Sequence, residues 1–141
     1  MSTYIPVDLK AQIQQHDRAR CSYCLTQALN SGIPLSFDHI LPLSQRGTTR
    51  FENVCLACRS CNEFKSAQIQ AIDPLTGERV SLFHPRQQSW QHHFAWCEDG
   101  TRIEGRSAIG RATVLALQLN HPTIVVARRR WVAAGWHPPD P

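Results

Sequence analysis

SFDHILPLSQRGTTRFENVCLACRSCN, residues 36–62, decides how this chain is read. It opens on an apolar run that holds an Asp-His pair and is stopped by Pro42. A polar loop with Gly47 follows, then the apolar run NVCLAC (53–58). A polar segment rich in helix formers begins at the second cysteine pair. Strand, loop, strand and helix is the predicted order, with the helix running through RSCNEFKSAQIQA (59–71) and ending before the turn signal DPLTG (73–77).

Working outward, the pair Cys58-x-x-Cys61 has a counterpart in Cys21-x-x-Cys24. Each knuckle can turn two thiolates toward one tetrahedral zinc, and four thiolates leave the metal no open position for chemistry. The predicted role of zinc is therefore structural. The knuckles are further apart than the roughly 15–20 residues usual in a zinc ribbon, so a folded unit must sit between them. Cys55, on a predicted strand, reads as a small buried hydrophobe, and Cys97, beside an acidic turn, has no partner in sequence. Six cysteines and a first 20 residues without an apolar run predict a reducing, cytoplasmic setting. A disulfide framework is the alternative reading.

The remaining sequence frames this centre. PVDLKAQIQQHDRARC (6–21) predicts a first helix with Val7, Leu9 and Ile13 on its apolar face. SWQHHFAW (89–96) has strand character, and the Asp99-Gly100 turn makes a hairpin with RIEG (102–105). GRATVLALQLN (110–120) and TIVVARRRWVAAGWHPP (123–139) predict two closing helices, the second stopped by Gly135. The fold class expected is α+β: a small zinc-stapled ββα core over residues 1–70, with a hairpin-and-helix extension over 71–141 packed on the same domain. Trp90, Trp96, Trp131 and Trp136 read as core or docking residues. His84, His92 and His93 are not expected to bind metal, since His92 and His93 would point apart on a strand.

The 141 residues suit one compact domain, able to bury roughly 68–70% of its unfolded surface. With 42% hydrophobic and 18% charged residues, global disorder is excluded. No run approaches 18 apolar residues, which argues against a membrane-spanning helix. A formal charge of +4 is compatible with nucleic acid as partner without demanding it.

The residues Asp38, His39, Ile40, Pro42, Asn53, Cys58, Cys61, Asn62 and Lys65 together resemble the HNH endonuclease family, in its variant with two zinc knuckles. Asn53 follows His39 by 14 residues and Asn62 follows Asn53 by nine, spacings similar to those of family members. The resemblance covers about residues 21–66. It implies a ββα-metal fold and metal-dependent hydrolysis of DNA phosphodiester bonds, with His39 as general base, for which an imidazole titrating near pH 6.5 is suited. It further implies that Asp38 and Asn62 hold one catalytic divalent ion, that Asn53 braces the hairpin loop and helps hold the base, and that Lys65 shares the helical face of Asn62 and reaches a phosphate. The founding pattern has His where this chain has Asn62. A carboxamide oxygen suits a hard ion, so Mg²⁺ or Mn²⁺ is expected rather than a catalytic zinc.

Three further expectations complete this reading. Arg46, Arg50 and Arg59 surround the proposed site in sequence and are the expected phosphate contacts. Arg128, Arg129 and Arg130 are expected to be a solvated face of the last helix. Because neighbouring strand residues point to opposite faces, Asp38 and His39 can serve one phosphate only where the strand ends or distorts. Cleavage of both strands would call for a homodimer. The competing reading is a non-catalytic zinc-stapled module that binds nucleic acid without cutting it.

Overall fold

The computed structural model describes residues 4–141. The first helix, α1 (Val7–His16), is followed by the knuckle around Cys21–Cys24 and a one-turn helix, α2 (Ala28–Ser31). Two antiparallel strands come next, β1 (Ser36–His39) and β2 (Val54–Ala57), paired in the register Ser36↔Ala57 through His39↔Val54. The helix α3 (Arg59–Lys65) completes a ββα unit. The order expected from the sequence is thus observed, as is the α+β class with a cysteine cluster.

Two boundaries differ from expectation. α3 ends at Lys65, because Ser66 takes a positive φ of 49° that no helix continues. The residues beyond it form a strand, β3 (Gln70–Ile72), which pairs with β4 (Arg79–Ser81) around the DPLTG turn. The alternation of Gln and apolar residues in 68–72 fits a strand as well as a helix, and the early break decides between them. Within SWQHHFAW the first half is a helical turn, α4 (Trp90–His93), and only β5 (Phe94–Cys97) is strand. β5 pairs with β6 (Arg102–Gly105) across the predicted turn, where Gly100 has φ 88°. The chain closes with α5 (Ala108–Ala116) and α6 (Pro122–Ala134), capped by Gly135 in the left-handed region at φ 80°.

The apolar residues sort into two cores. Ile13 of α1 packs with Ile5, Val54 and Leu56 against the outer face of the β1–β2 hairpin. Val7, expected on that face, is 73% exposed, because it lies about 120° around the helix from Ile13. The second core mixes the four knuckle cysteines with Phe83, Phe94, Ile103, Leu117 and Leu119, so residues beyond 71 share their apolar interior with the first knuckle and β2. Gly110 permits the close packing of α5, since a Cβ there would collide with the His93 carbonyl.

Two ion pairs bind the later residues to the ββα unit and its extension. The Arg86 guanidinium forks onto Asp17, with Nη1 2.7 Å from Oδ1 and Nη2 3.2 Å from Oδ2. Arg86 also donates to the carbonyls of Phe51 and Val54 and lies over the Phe51 ring. Burial pushes the Asp17 carboxyl up, but Arg86, His16 and the Leu56 N–H together hold it below its ordinary value. Arg111 forks in the same way onto the buried Asp73, tying the β3–β4 hairpin to α5. Both pairs join residues far apart in sequence. Arg86→Met keeps the stem over Phe51 but strands a buried carboxylate, and it is expected to cost about 3–5 kcal/mol in denaturant unfolding. A loss below 1 kcal/mol would mean that the pair contributes only packing.

Candidate active site and zinc centre

The sulfurs of Cys21, Cys24, Cys58 and Cys61 all lie within 4.8 Å of one another, and all four residues are buried. Cys24 Sγ and Cys58 Sγ are 3.6 Å apart, close to the roughly 3.8 Å that two thiolates take on a tetrahedral zinc. Four sulfurs in this arrangement fit a structural zinc. The local backbone explains the convergence. Leu25, at φ 61°, turns the first knuckle so that its N–H reaches the Cys21 carbonyl. Cys58 is the N-cap of α3 and accepts the Cys61 N–H, so the second knuckle is the helix start itself. Among the described residues, Cys55, Cys97 and the histidines form no such group. Cys55 is fully buried, and burial pushes its thiol up to about 12.

Asp38 points inward from β1 and is 5% exposed. It accepts the Tyr23 hydroxyl at 2.8 Å and the Lys65 ammonium at 3.2 Å. Tyr23 is itself a residue of the first knuckle, and its carbonyl takes the Trp90 indole N–H. Burial raises the Asp38 carboxyl, and Lys65 and Tyr23 offset only part of that rise. Neither Tyr23 nor the inward direction of Lys65 was foreseen in the sequence. The one available signal was the position of Tyr23 between two ligands, which fixes its backbone.

His39 ends β1 and is half-buried, with Nε2 3.0 Å from Thr49 Oγ1. Burial holds its imidazole below the ordinary value, against the pull of Asp38. It is therefore neutral at pH 7 and able to take a proton. Asp38 and His39 do leave the strand on opposite faces, as alternation requires, but His39 is the last strand residue and borders the loop.

Asn53 spends its side chain on backbone. Oδ1 accepts the Leu41 N–H at 2.8 Å, while Nδ2 donates to the carbonyls of Leu41 and Thr48. It closes the loop after His39 like a clasp, and Gly47 allows this, since a Cβ there would strike the Leu41 carbonyl. Asn62 is half-buried in the first turn of α3, directly after a zinc-compatible ligand.

The other expected residues divide. Lys65 is 1% exposed and donates to Asp38 and to the His39 carbonyl, so it does not project toward solvent where a phosphate would lie. It shares a helix face with Asn62 as expected, but that face packs on β1. Arg46 and Arg50 are exposed in the loop, and Arg59 is exposed on α3, where it pairs with Glu63. Arg128 departs most from expectation: it is fully buried, and only Arg129 and Arg130 face solvent. No helix among the described residues is long and apolar enough to cross a membrane.

A divalent ion on Asp38 and Asn62 would have two protein oxygens and would complete its shell with water and substrate, as Mg²⁺ does. The donor set fits that chemistry. The Lys65 ammonium sits on the same carboxylate, so ion and ammonium must share its lone pairs.

A ββα unit whose helix starts at a four-cysteine cluster, with a neutral histidine at the strand end, defines a zinc-stapled ββα module. Residues 21–68, about a third of the chain, match the family model described as HNH endonuclease. No curated protein matches the chain.

The Tyr23–Asp38 bond gives a test independent of activity. Tyr23→Phe keeps the ring and removes one donor from a buried carboxylate, with an expected cost of about 1–3 kcal/mol near pH 7. Asp38 has its folded value raised, so protonation relieves its burial as pH falls through that value. The cost of the variant should therefore shrink on acidification, read as a pH series of unfolding midpoints. A cost independent of pH would show that the hydroxyl does not act on the charged form.

Proposed function

We propose that the protein is a metal-dependent endonuclease that hydrolyses DNA phosphodiester bonds. The observation that carries this reading is the His39 imidazole, held neutral at the end of β1 beside Asp38 and facing the loop that Asn53 clasps. In this reading His39 takes the proton from the attacking water at one ring nitrogen. Thr49, 3.0 Å from Nε2, orients the ring. Asn53 is a positioning residue, because its polar atoms all end on the backbone of the loop it closes. Asp38 and Asn62 hold Mg²⁺ or Mn²⁺, which would neutralise phosphate charge and favour departure of the 3′ oxygen. Lys65 keeps Asp38 ionised against its burial and so preserves a ligand, a role in place of direct phosphate contact. Arg46 and Arg50, exposed in the loop, and Arg59 would meet the phosphate backbone, with salt-sensitive affinity. A reducing, cytoplasmic setting would keep the four thiols available for zinc.

One observation favours the second reading, a binding module without hydrolysis. Asp38 already has a cation in Lys65, and such a pair can be purely structural. Cleavage of supercoiled plasmid decides between them. Nicking should require Mg²⁺ or Mn²⁺, stop in EDTA with zinc retained, and fall about 10²–10⁴-fold in His39→Ala. Because burial lowers the His39 value, the acid limb of the rate profile should have its midpoint below pH 6.5, with activity lost only as pH falls through it. Salt-sensitive DNA binding with equal residual cleavage in both proteins would sink the nuclease reading.

A further inference from the structure

The turn after α1 and the end of β6 bring three arginines to one cleft. Arg18, Arg20 and Arg106 line a cavity of about 410 Å³, within the roughly 300–1,000 Å³ of sites that take small ligands. Among the described residues, none of the three has a carboxylate within ion-pair distance. The one acidic side chain in the lining is Asp140, and Asp140 meets the arginines through its backbone, where its carbonyl accepts Arg20 Nη1 at 2.6 Å. The backbone holds the three cations in place. Arg18 and Ala19 turn the chain at φ 55° and 53°, Arg20 bridges to Gln27, and the Arg106 N–H is bound to the His93 carbonyl at 2.8 Å. Arg18 and Arg106 are exposed, and Arg20 is half-buried.

The rest of the lining is largely apolar. Leu25, Trp90 and Trp96 are half-buried and leave part of their surface on the cleft. The Trp90 indole N–H is bound to the Tyr23 carbonyl at 2.9 Å, and the Trp90 and Trp96 rings lie 5.6 Å apart, so this aromatic surface is fixed before any ligand arrives. An adjoining cavity of about 150 Å³ shares Arg18, Arg20, Leu25 and Trp90, and its carboxylate, Asp17, is already taken by Arg86. Three guanidiniums in one cleft repel one another, and an anion between them removes that cost. A ligand with phosphates on one edge and a planar ring on the other satisfies both parts of the lining. A duplex turns its bases inward and offers phosphates alone, whereas a single strand offers both.

We propose that this cleft is a binding site for single-stranded DNA, with phosphates on Arg18, Arg20 and Arg106 and an unpaired base against Leu25 and the two tryptophans. Its lining includes neither His39, Asp38 nor Asn62, so it anchors a strand without taking part in cleavage. The inference rests on DNA as the partner in the proposed function, but not on hydrolysis.

The test is a titration of the full chain with a short labelled DNA strand of mixed sequence, read by fluorescence anisotropy over a salt series without added divalent ions. Arg18→Gln and Arg106→Gln should each weaken binding and flatten the log–log salt slope by about 0.7. Both side chains are exposed, so these variants keep the fold. Arg130→Gln, exposed on α6 outside the cleft, should leave the slope unchanged, and Asp140→Asn should tighten binding. The strand should quench tryptophan fluorescence, and an abasic strand of equal length should bind more weakly without quenching. No binding by wild type, or equal binding by wild type and the Arg18 and Arg106 variants, would overturn the proposal. So would an abasic strand, a duplex or polyglutamate that competes as well as the intact single strand. Plasmid nicking is scored separately. Metal-dependent nicking with strand binding indifferent to the cleft keeps the nuclease reading and removes this site, and strand binding through the cleft without nicking does the reverse.

Discussion

Four sulfurs brought into contact from segments 34 residues apart are the constraint on which this structure depends. The β1–β2 hairpin is a two-stranded sheet of four residues per strand, and such a hairpin is marginal on its own in water. The knuckles close it. The first is pinned to β2 through Ser22 N–H on the Leu56 carbonyl, while Asp17 takes the Leu56 N–H on the same edge. The second is the start of α3, so a metal on the four cysteines fixes the angle at which that helix crosses the strands. Everything the ββα unit places near His39 inherits its position from that clamp.

The clamp also explains an arrangement that otherwise looks wasteful, a carboxylate, a phenol and an ammonium buried together. Tyr23 lies within one knuckle and Lys65 at the end of the helix that starts from the other, and both end on Asp38. The carboxylate is thus held from both sides by groups whose backbones the cysteines fix. Burial alone would drive Asp38 toward its neutral form and make it useless as a ligand. The two donors limit that rise, and the same geometry aligns the His39 carbonyl with Lys65.

The ββα order and both knuckles were legible in the sequence because they rest on local chemistry. Cys-x-x-Cys needs only a tight turn, Gly47 and Pro42 mark the loop, and Asn53 stands where the second strand begins. The remainder depended on contacts between distant residues. The Arg86–Asp17 fork and the Arg111–Asp73 fork leave no periodic trace, and a run of three arginines gives no sign that the first is buried. Consecutive helix positions are rotated by about 100°, so one of three must differ in environment from the others. Which one faces inward is set by Trp96, far back in sequence, and by the carbonyls of Thr101 and Leu119. Lys65 was misplaced for a related reason: its spacing from Asn62 was right, but the face they share packs on β1.

Burial at Arg128 and at Asp38 obeys one rule. A charge is tolerated in the interior where a different chain segment supplies the groups that satisfy it, so each pairing works as a condition on assembly. Asp38 is satisfied only if α3 has formed and the first knuckle has closed. Arg128 is satisfied only if α6 docks where the carbonyls of Thr101 and Leu119 can accept from it. Asp17 is satisfied only if the segment before α4 has folded back over Phe51. An apolar core of this size would tolerate several alternative packings, whereas unpaired buried charges penalise each of them by several kcal/mol. Three buried charges, each satisfied by groups from another chain segment, therefore select a single packing of the extension on the ββα unit.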